Sequence, residues 1–283
     1  MNCAFCTESI PDTVTECPHC GRPSLFPNVA AAAEPAGHAR LMERAKEAAA
    51  RAAVRGATDR VDDFAKELAS AEAIINRYFG ELFRLAWSDD QIYSTYYHRV
   101  NAGIQLPEGD SWNRLRGIAD TILFGDHNKK SIRFAALSLD GEGLENYGDC
   151  SLTVKTSMIS HRASVFEENA VIFMERQDVS GQKKFAVPLG FNAPWQDRIM
   201  LCLAKLSDQI QPGTSPVDFP HILLHNGPTP EEDQFIEVHI WGSLTIRSLR
   251  RVIVRHWVSP PLDVDVTAFK ARLSGYGVQF VAP

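Results

Sequence analysis

Gln234-Phe-Ile-Glu-Val-His-Ile-Trp-Gly-Ser-Leu-Thr-Ile246 is the stretch on which the reading of this 283-residue chain turns. Phe235, Val238, Ile240 and Trp241 are β-branched or aromatic and fill pleated surfaces well, so the run predicts a strand. Pro230-Glu-Glu-Asp233 before it and Gly242-Ser243 after it are strand-end signals. Strict alternation puts Phe235, Glu237 and His239 on one face, and Ile236, Val238 and Ile240 on the other. A carboxylate and an imidazole on an otherwise apolar strand are costly unless they are solvated or in use. The strand is therefore either a sheet edge with a wet face or the wall of a site.

Composition narrows the classes. An apolar share of 45% and a charged share of 23% are those of an ordinary globular protein. The length allows one large domain, or two modest ones with an appendage. A net charge of −6 argues against a protein that coats DNA, leaving only a local basic patch. No run of eighteen apolar residues occurs, so no membrane span is expected. Met1-Asn-Cys-Ala-Phe-Cys6 has neither the basic start nor the apolar core of a secretory signal, and the expectation is a cytoplasmic protein.

Four of the six cysteines cluster at the N-terminus, as Cys3-x-x-Cys6 and Cys17-x-x-Cys20 separated by ten residues. Two thiolates three apart on a tight turn can face one cation, and a second such turn completes a tetrahedron that suits Zn²⁺. Gly21 fits the positive φ that such turns need. The pattern resembles a zinc ribbon. Four protein ligands leave no open position, so the ion is expected to be structural, with no vacancy for His19. The ribbon's own partner is open: nucleic acid, protein or its own domain.

The chain then divides into a zinc ribbon over 1–26, a linker and helical spacer over 27–89, and a main domain over 90–283. Helix formers predict a helix from His38 to Arg55. Val61, Phe64, Leu68, Ala71, Ile74, Ile75, Tyr78, Phe79, Leu82 and Leu85 recur at three and four, predicting a second helix from Asp59 to Trp87. In the main domain the expected strands are Ile92–Val100, Ile132–Leu139, a segment around Leu152, Val171–Met174, Phe185–Leu189, His221–His225 and the Glu237 stretch. A hairpin turn is expected at Ser180-Gly181. Helices are expected over Ser111–Phe124, from Pro194 to Leu206, and over Asp263–Ser274, with a closing strand at Gly277–Val281.

Glu237-Val-His-Ile-Trp-Gly-Ser-Leu244 resembles the catalytic-glutamate segment of bacterial toxin-type ADP-ribosyltransferases. Tyr97-His98-Arg99 is similar to the end of that family's first core strand, where an aromatic residue precedes a His or Arg that contacts NAD. His98 and Arg99 point to opposite faces of a strand, so one or the other is implied. Ser138 resembles a serine that supports the nicotinamide pocket. Tyr147-Gly148, followed by Ile159-Ser-His-Arg162-Ala-Ser-Val-Phe166, resembles the family's middle segment. There Ser164 and Phe166 would support nicotinamide, and Arg162 would make a pyrophosphate or a structural contact.

The resemblance covers roughly residues 90 to 257. It implies an α+β fold with a split mixed sheet, NAD as substrate, Glu237 as catalytic residue with His98 or Arg99, and Tyr97 in the NAD site. The implied protein is a toxin or defence effector with a protein or nucleic-acid acceptor, and with an antitoxin or chaperone as a further partner. Phe235 stands where enzymes that modify arginine carry Gln or Glu, which argues against arginine as acceptor. The competing expectation is a zinc-ribbon adaptor with a degenerate domain of the same fold.

Overall fold

The computed structural model describes residues 1–11, 13–87, 93–103, 111–177, 185–255 and 266–282. Its frame is a mixed eight-stranded sheet in the order β10-β9-β3-β1-β2-β8-β4-β5. The strands are β1 (Glu72–Arg77), β2 (Ile132–Ser138), β3 (Cys150–Val154), β4 (Ala163–Phe166), β5 (Asn192–Pro194), β8 (Glu237–Trp241), β9 (Leu249–Val254) and β10 (Gln279–Val281). Two short strands, β6 (Leu224–His225) and β7 (Gln234–Phe235), pair separately. Only β9 and β10 run parallel; the other described pairs are antiparallel. The fold is α+β, as expected.

The Glu237 strand is not an edge. β8 lies between β2 and β4, with Glu237 opposite Ala136 on one side and Phe166 on the other. All five of its residues are buried. The alternation expected from the sequence holds, because Glu237 and His239 share a face with Phe166 and Ser164.

The opposite face of the sheet carries Ile75, Leu137, Leu152, Val165, Val238 and Ile240, all buried in the main core. It is covered by α3 (Thr58–Leu68), α9 (Arg198–Leu206) and α10 (Phe219–Leu223), with Phe64 and Phe219 in ring contact at 5.1 Å. The long helix α2 (Pro35–Val54) packs along α9, so the helical spacer lies on the body of the protein. On the Glu237 face lie α1 (Pro27–Ala32), α6 (Ser111–Asn128, broken at Gly125, φ 76°) and α8 (Ala170–Arg176). Two further helices, α4 (Phe79–Trp87) and α11 (Val266–Gly275), pack together through Phe79, Phe83 and Phe269.

Several expectations are corrected. The helix expected from Asp59 to Trp87 is a helix, a strand and a helix: α3, β1 and α4. A strand buried on both faces reads as a continuous apolar run, and Ala73-Ile-Ile75 satisfies helical spacing equally well. β1 sits between β3 and β2, so the sheet begins inside the expected spacer. The expected strand Ile92–Val100 is helical over α5 (Tyr96–Asn101), because the Thr95 side chain accepts the His98 N–H and caps a helical turn. Its first residue, Ile92, lies outside the described residues, as does the Ser180-Gly181 turn. Val171–Met174 is inside α8, started by Asn169, whose side chain accepts from the Val171 and Ile172 N–H groups. His221 and Ile222 belong to α10, and Phe185–Leu189 forms no strand.

The far end of β8 is held by a buried guanidinium. Arg162, 0% exposed, donates from Nε to the Met158 carbonyl at 2.9 Å, from Nη2 to that of Ser243 at 3.1 Å, and from Nη1 to that of Trp241. These bonds brace the point where the strand breaks at Gly242 (φ 78°). Replacing Arg162 by Met leaves buried carbonyls without donors. The expected loss of unfolding free energy is roughly 3–5 kcal/mol, read from urea denaturation; a loss below about 1 kcal/mol would contradict this role.

Candidate functional site

The sheet is split. β1 and β2 pair only from Glu72 to Ile74, opposite Ser138 to Ala136. Beyond that point β1 continues to Arg77 alongside β3, and β2 continues back to Ile132 alongside β8. Asn76 takes β1 away from β2: its amide donates to the Glu142 carbonyl and Ser151 Oγ and accepts from the Leu144 N–H at 2.7 Å. Gly148 (φ 141°) lets the next turn approach closely, since a Cβ there would lie 2.3 Å from the Arg77 backbone.

A cavity of about 170 Å³ opens where the two half-sheets part. Its wall includes Asn76 and Arg77 of β1, Phe134 of β2, Tyr97 of α5, Asp120 of α6 and Glu237 of β8. Tyr93, Tyr147 and Phe235 add aromatic surface. Such a cleft, mostly apolar with a few convergent polar groups, is the usual form of a small-molecule site.

Glu237 is held by two donors. The Ala170 N–H reaches its Oε2 at 3.2 Å, and His239 Nε2 lies 3.0 Å from the same oxygen. A carboxylate oxygen only accepts, so His239 donates from Nε2. The imidazole is itself fixed by edge contacts with Phe124 (4.8 Å) and Phe134 (5.4 Å) and a stacked contact with Phe166 (6.3 Å). Its backbone carbonyl accepts from Asn28 Nδ2 at 3.0 Å.

Asp120 is the second carboxylate. It is 1% exposed, and its Oδ2 accepts from the Tyr97 hydroxyl at 2.7 Å. Burial pushes its pKa up to about 6, helped by the negative Glu237 and opposed by the Tyr97 hydrogen bond, Arg116 and His239. Burial also raises the Tyr97 and Tyr147 phenols, so both remain protonated donors at neutral pH.

Three guanidiniums gather at one side. Arg77 ion-pairs with Glu81 at 3.3 Å, and Arg99 pairs with the same carboxylate. Arg116 lies over the Tyr96 ring at 5.5 Å. Burial lowers the Arg77 pKa to about 10, and Arg99 and Arg116 lower it further against the pull of Glu81. Arg77 and Arg99 share one carboxylate and Arg116 acts on Arg77 from nearby, a local excess of positive charge that favours an anionic ligand.

The residues singled out from the sequence fall in different places. Glu237 and Tyr97 line the cavity, whereas His98 and Arg99 do not. Arg99 is engaged by Glu81, and burial and Arg133 lower the His98 pKa. Ser138 caps the β2 turn, donating to Asp140 Oδ1 at 2.7 Å and accepting the Gly141 N–H. Ser164 accepts from Asn28 Nδ2 at 3.2 Å, and Phe166 packs behind His239. For Arg162 the structural contact, of the two expected, is the one described above.

Sequence reasoning missed Asp120, Arg77, Tyr147 as a wall residue, and Asn169. A signal existed for Asp120, a carboxylate set among Ile118, Ala119 and Ile122 in the helix expected over Ser111–Phe124.

The four N-terminal thiols converge. Cys3, Cys6, Cys17 and Cys20 place their sulfurs within 4.8 Å of one another, with Cys3–Cys20 at 3.8 Å and Cys6–Cys17 at 3.6 Å. A tetrahedral ion with sulfur bonds of about 2.3 Å requires sulfurs about 3.8 Å apart, so the donor set fits a metal ion. The cluster docks on its own chain. Met1 packs both with the cysteine core and with Phe26, Phe124 and Trp241, and His161 Nε2 lies 3.1 Å from the Thr13 carbonyl. Among the described residues no helix is long and apolar enough to cross a membrane.

No family model matches this chain, and no curated protein matches it.

The two cysteine turns end on different residues. Gly21 (φ 69°) closes the second, and Thr7 (φ 63°) closes the first, although a β-branched residue is strained there. Thr7→Gly is expected to tighten metal binding by roughly fivefold, the equivalent of about 1 kcal/mol of relieved strain. Competition of the reduced protein against a chromogenic chelator reads this directly. Weaker binding in the variant would contradict it.

Proposed function

We propose that this chain binds NAD in the cleft between its half-sheets and breaks the nicotinamide–ribose bond, an ADP-ribosyltransferase-type reaction. The observation that carries this reading is Glu237, a carboxylate aimed by two hydrogen bonds at the wall of a cavity where a mixed sheet splits. As nicotinamide leaves, the ribose becomes an oxocarbenium-like cation. A pre-oriented carboxylate in a water-poor site stabilises that charge without reorganising.

Other features support the reading. Arg77 ends the first strand of the sheet, where the family resemblance asks for a basic residue; it is a better candidate for NAD contact than His98 or Arg99. Arg77 and Arg116, both in the cavity wall, suit a pyrophosphate. The tyrosines and phenylalanines of the wall suit a flat ring. We further propose zinc as the ion of the four-cysteine cluster, since thiolates and tetrahedral geometry favour it. Its role would be structural: the ribbon has little core of its own and would fold with the metal.

Purified protein incubated with NAD is expected to release nicotinamide. Glu237→Gln is expected to lower the rate about 10²–10³-fold, the size of effect seen when one charge-stabilising group is lost, with the melting temperature little changed. Equal rates in the two proteins, or no release by the wild type, would overturn the reading and favour a non-catalytic adaptor.

A further inference from the structure

We propose that Asp120 is the general base of this site and that the acceptor it activates is water, so that the protein hydrolyses NAD to ADP-ribose. This rests on the NAD-cleaving reading above and names the second substrate of the same cavity.

The geometry assigns the two carboxylates separate tasks. Glu237 is turned by Ala170 and His239 and stands on β8; Asp120 stands on α6 and is aimed by the Tyr97 hydroxyl. Both line one cavity. Paired carboxylates on either side of a scissile glycosidic bond, one stabilising the cation and one taking a proton from water, are the recurrent solution to glycoside hydrolysis. The acceptor follows from space. Asp120 is 1% exposed, so only a molecule inside the cavity reaches it. A cavity of about 150 Å³ takes one benzene ring, and at about 170 Å³ this one leaves little room for a nucleophile larger than water once the nicotinamide end of NAD is in place.

The step balances. The N-glycosidic bond breaks with its electron pair on nitrogen, giving neutral nicotinamide and a cationic C1′. The water oxygen bonds to C1′, and its proton passes to the Asp120 carboxylate and from there to solvent. NAD⁺ and water yield ADP-ribose, nicotinamide and one proton.

A general base acts when deprotonated, so the rate is expected to rise with pH through the Asp120 pKa of about 6. The charged and titratable groups facing Asp120 are Arg116 from its own helix, Tyr97 from α5, and Glu237 and His239 from β8. Toward α8, the adjoining Ala119 packs with the apolar Ala170, Phe173 and Met174, and α1 carries no charged residue.

The test measures nicotinamide release from NAD between pH 5 and 9, in ¹⁸O-labelled water, for wild type, Asp120→Asn, Tyr97→Phe and Glu237→Gln. One ¹⁸O is expected in each ADP-ribose. Asp120→Asn is expected to lose about 10²–10⁴-fold in kcat, with KM nearly unchanged and no acidic limb. Tyr97→Phe removes a hydrogen bond that favours the carboxylate, so its acidic limb is expected to move to higher pH. A residue that only shaped the fold would leave that limb in place, and this variant keeps the test alive if Asp120→Asn does not fold. An unchanged Asp120→Asn rate and profile beside a dead Glu237→Gln would overturn this assignment and leave NAD cleavage standing. ADP-ribose transferred to protein or RNA in an added lysate, with none released free, would overturn water as the acceptor. No nicotinamide release by the wild type would overturn both readings.

Discussion

A carboxylate on the middle strand of a sheet has to be satisfied where it stands. Burying Glu237 without donors would cost several kcal/mol, and the protein surrounds it accordingly. The Ala170 N–H is available because Asn169 starts α8 at that point, its side chain capping the helix. His239 is available because three aromatic rings leave its imidazole one orientation. Asn28, from the segment after the cysteine cluster, ties the His239 carbonyl, the Arg162 carbonyl and Ser164 Oγ together. The N-terminal cluster therefore bears on the site: Met1 and Phe26 join it to Phe124, which touches the imidazole that orients Glu237.

The second constraint is the gap between β1 and β2. A ladder that ends after three residue pairs leaves backbone groups that need other partners. On β1 the need is met by β3 and by the Asn76 side chain, which replaces a strand neighbour with a loop. The gap becomes a cavity with carboxylates on β8 and α6 and guanidiniums toward one side. Positive charge thus stands beside a slot with aromatic walls and two acids, the features on which the proposed recognition of NAD rests.

Much of this was legible in the sequence. The Cys-x-x-Cys pairs gave a metal-ligand cluster, because thiol spacing alone fixes that geometry. The Glu237 strand was readable from β-branched residues and the Gly242 break, and its two-residue alternation put Glu237 and His239 on one face. The rest was hidden for identifiable reasons. Ala73-Ile-Ile75 is apolar enough to serve as a helix face or a doubly buried strand, and only its neighbours decide. Tyr97-His98-Arg99 has the pattern of a strand ending in a basic residue, but Thr95 turns that segment into a helix and the first strand of the sheet ends at Arg77. Asp120 is hidden because a single acid beside an apolar stripe reads as a solvated edge until an opposing tyrosine is in place.

The most decisive measurement is a crystal structure of the Glu237→Gln protein grown with NAD, in which the substrate would persist. The expected result is density for nicotinamide in the gap between β1 and β2, the ribose beside residue 237 and the pyrophosphate near Arg77 and Arg116. A well-ordered cavity without NAD at saturating concentration, or NAD bound elsewhere on the surface, would contradict the assignment of this cleft.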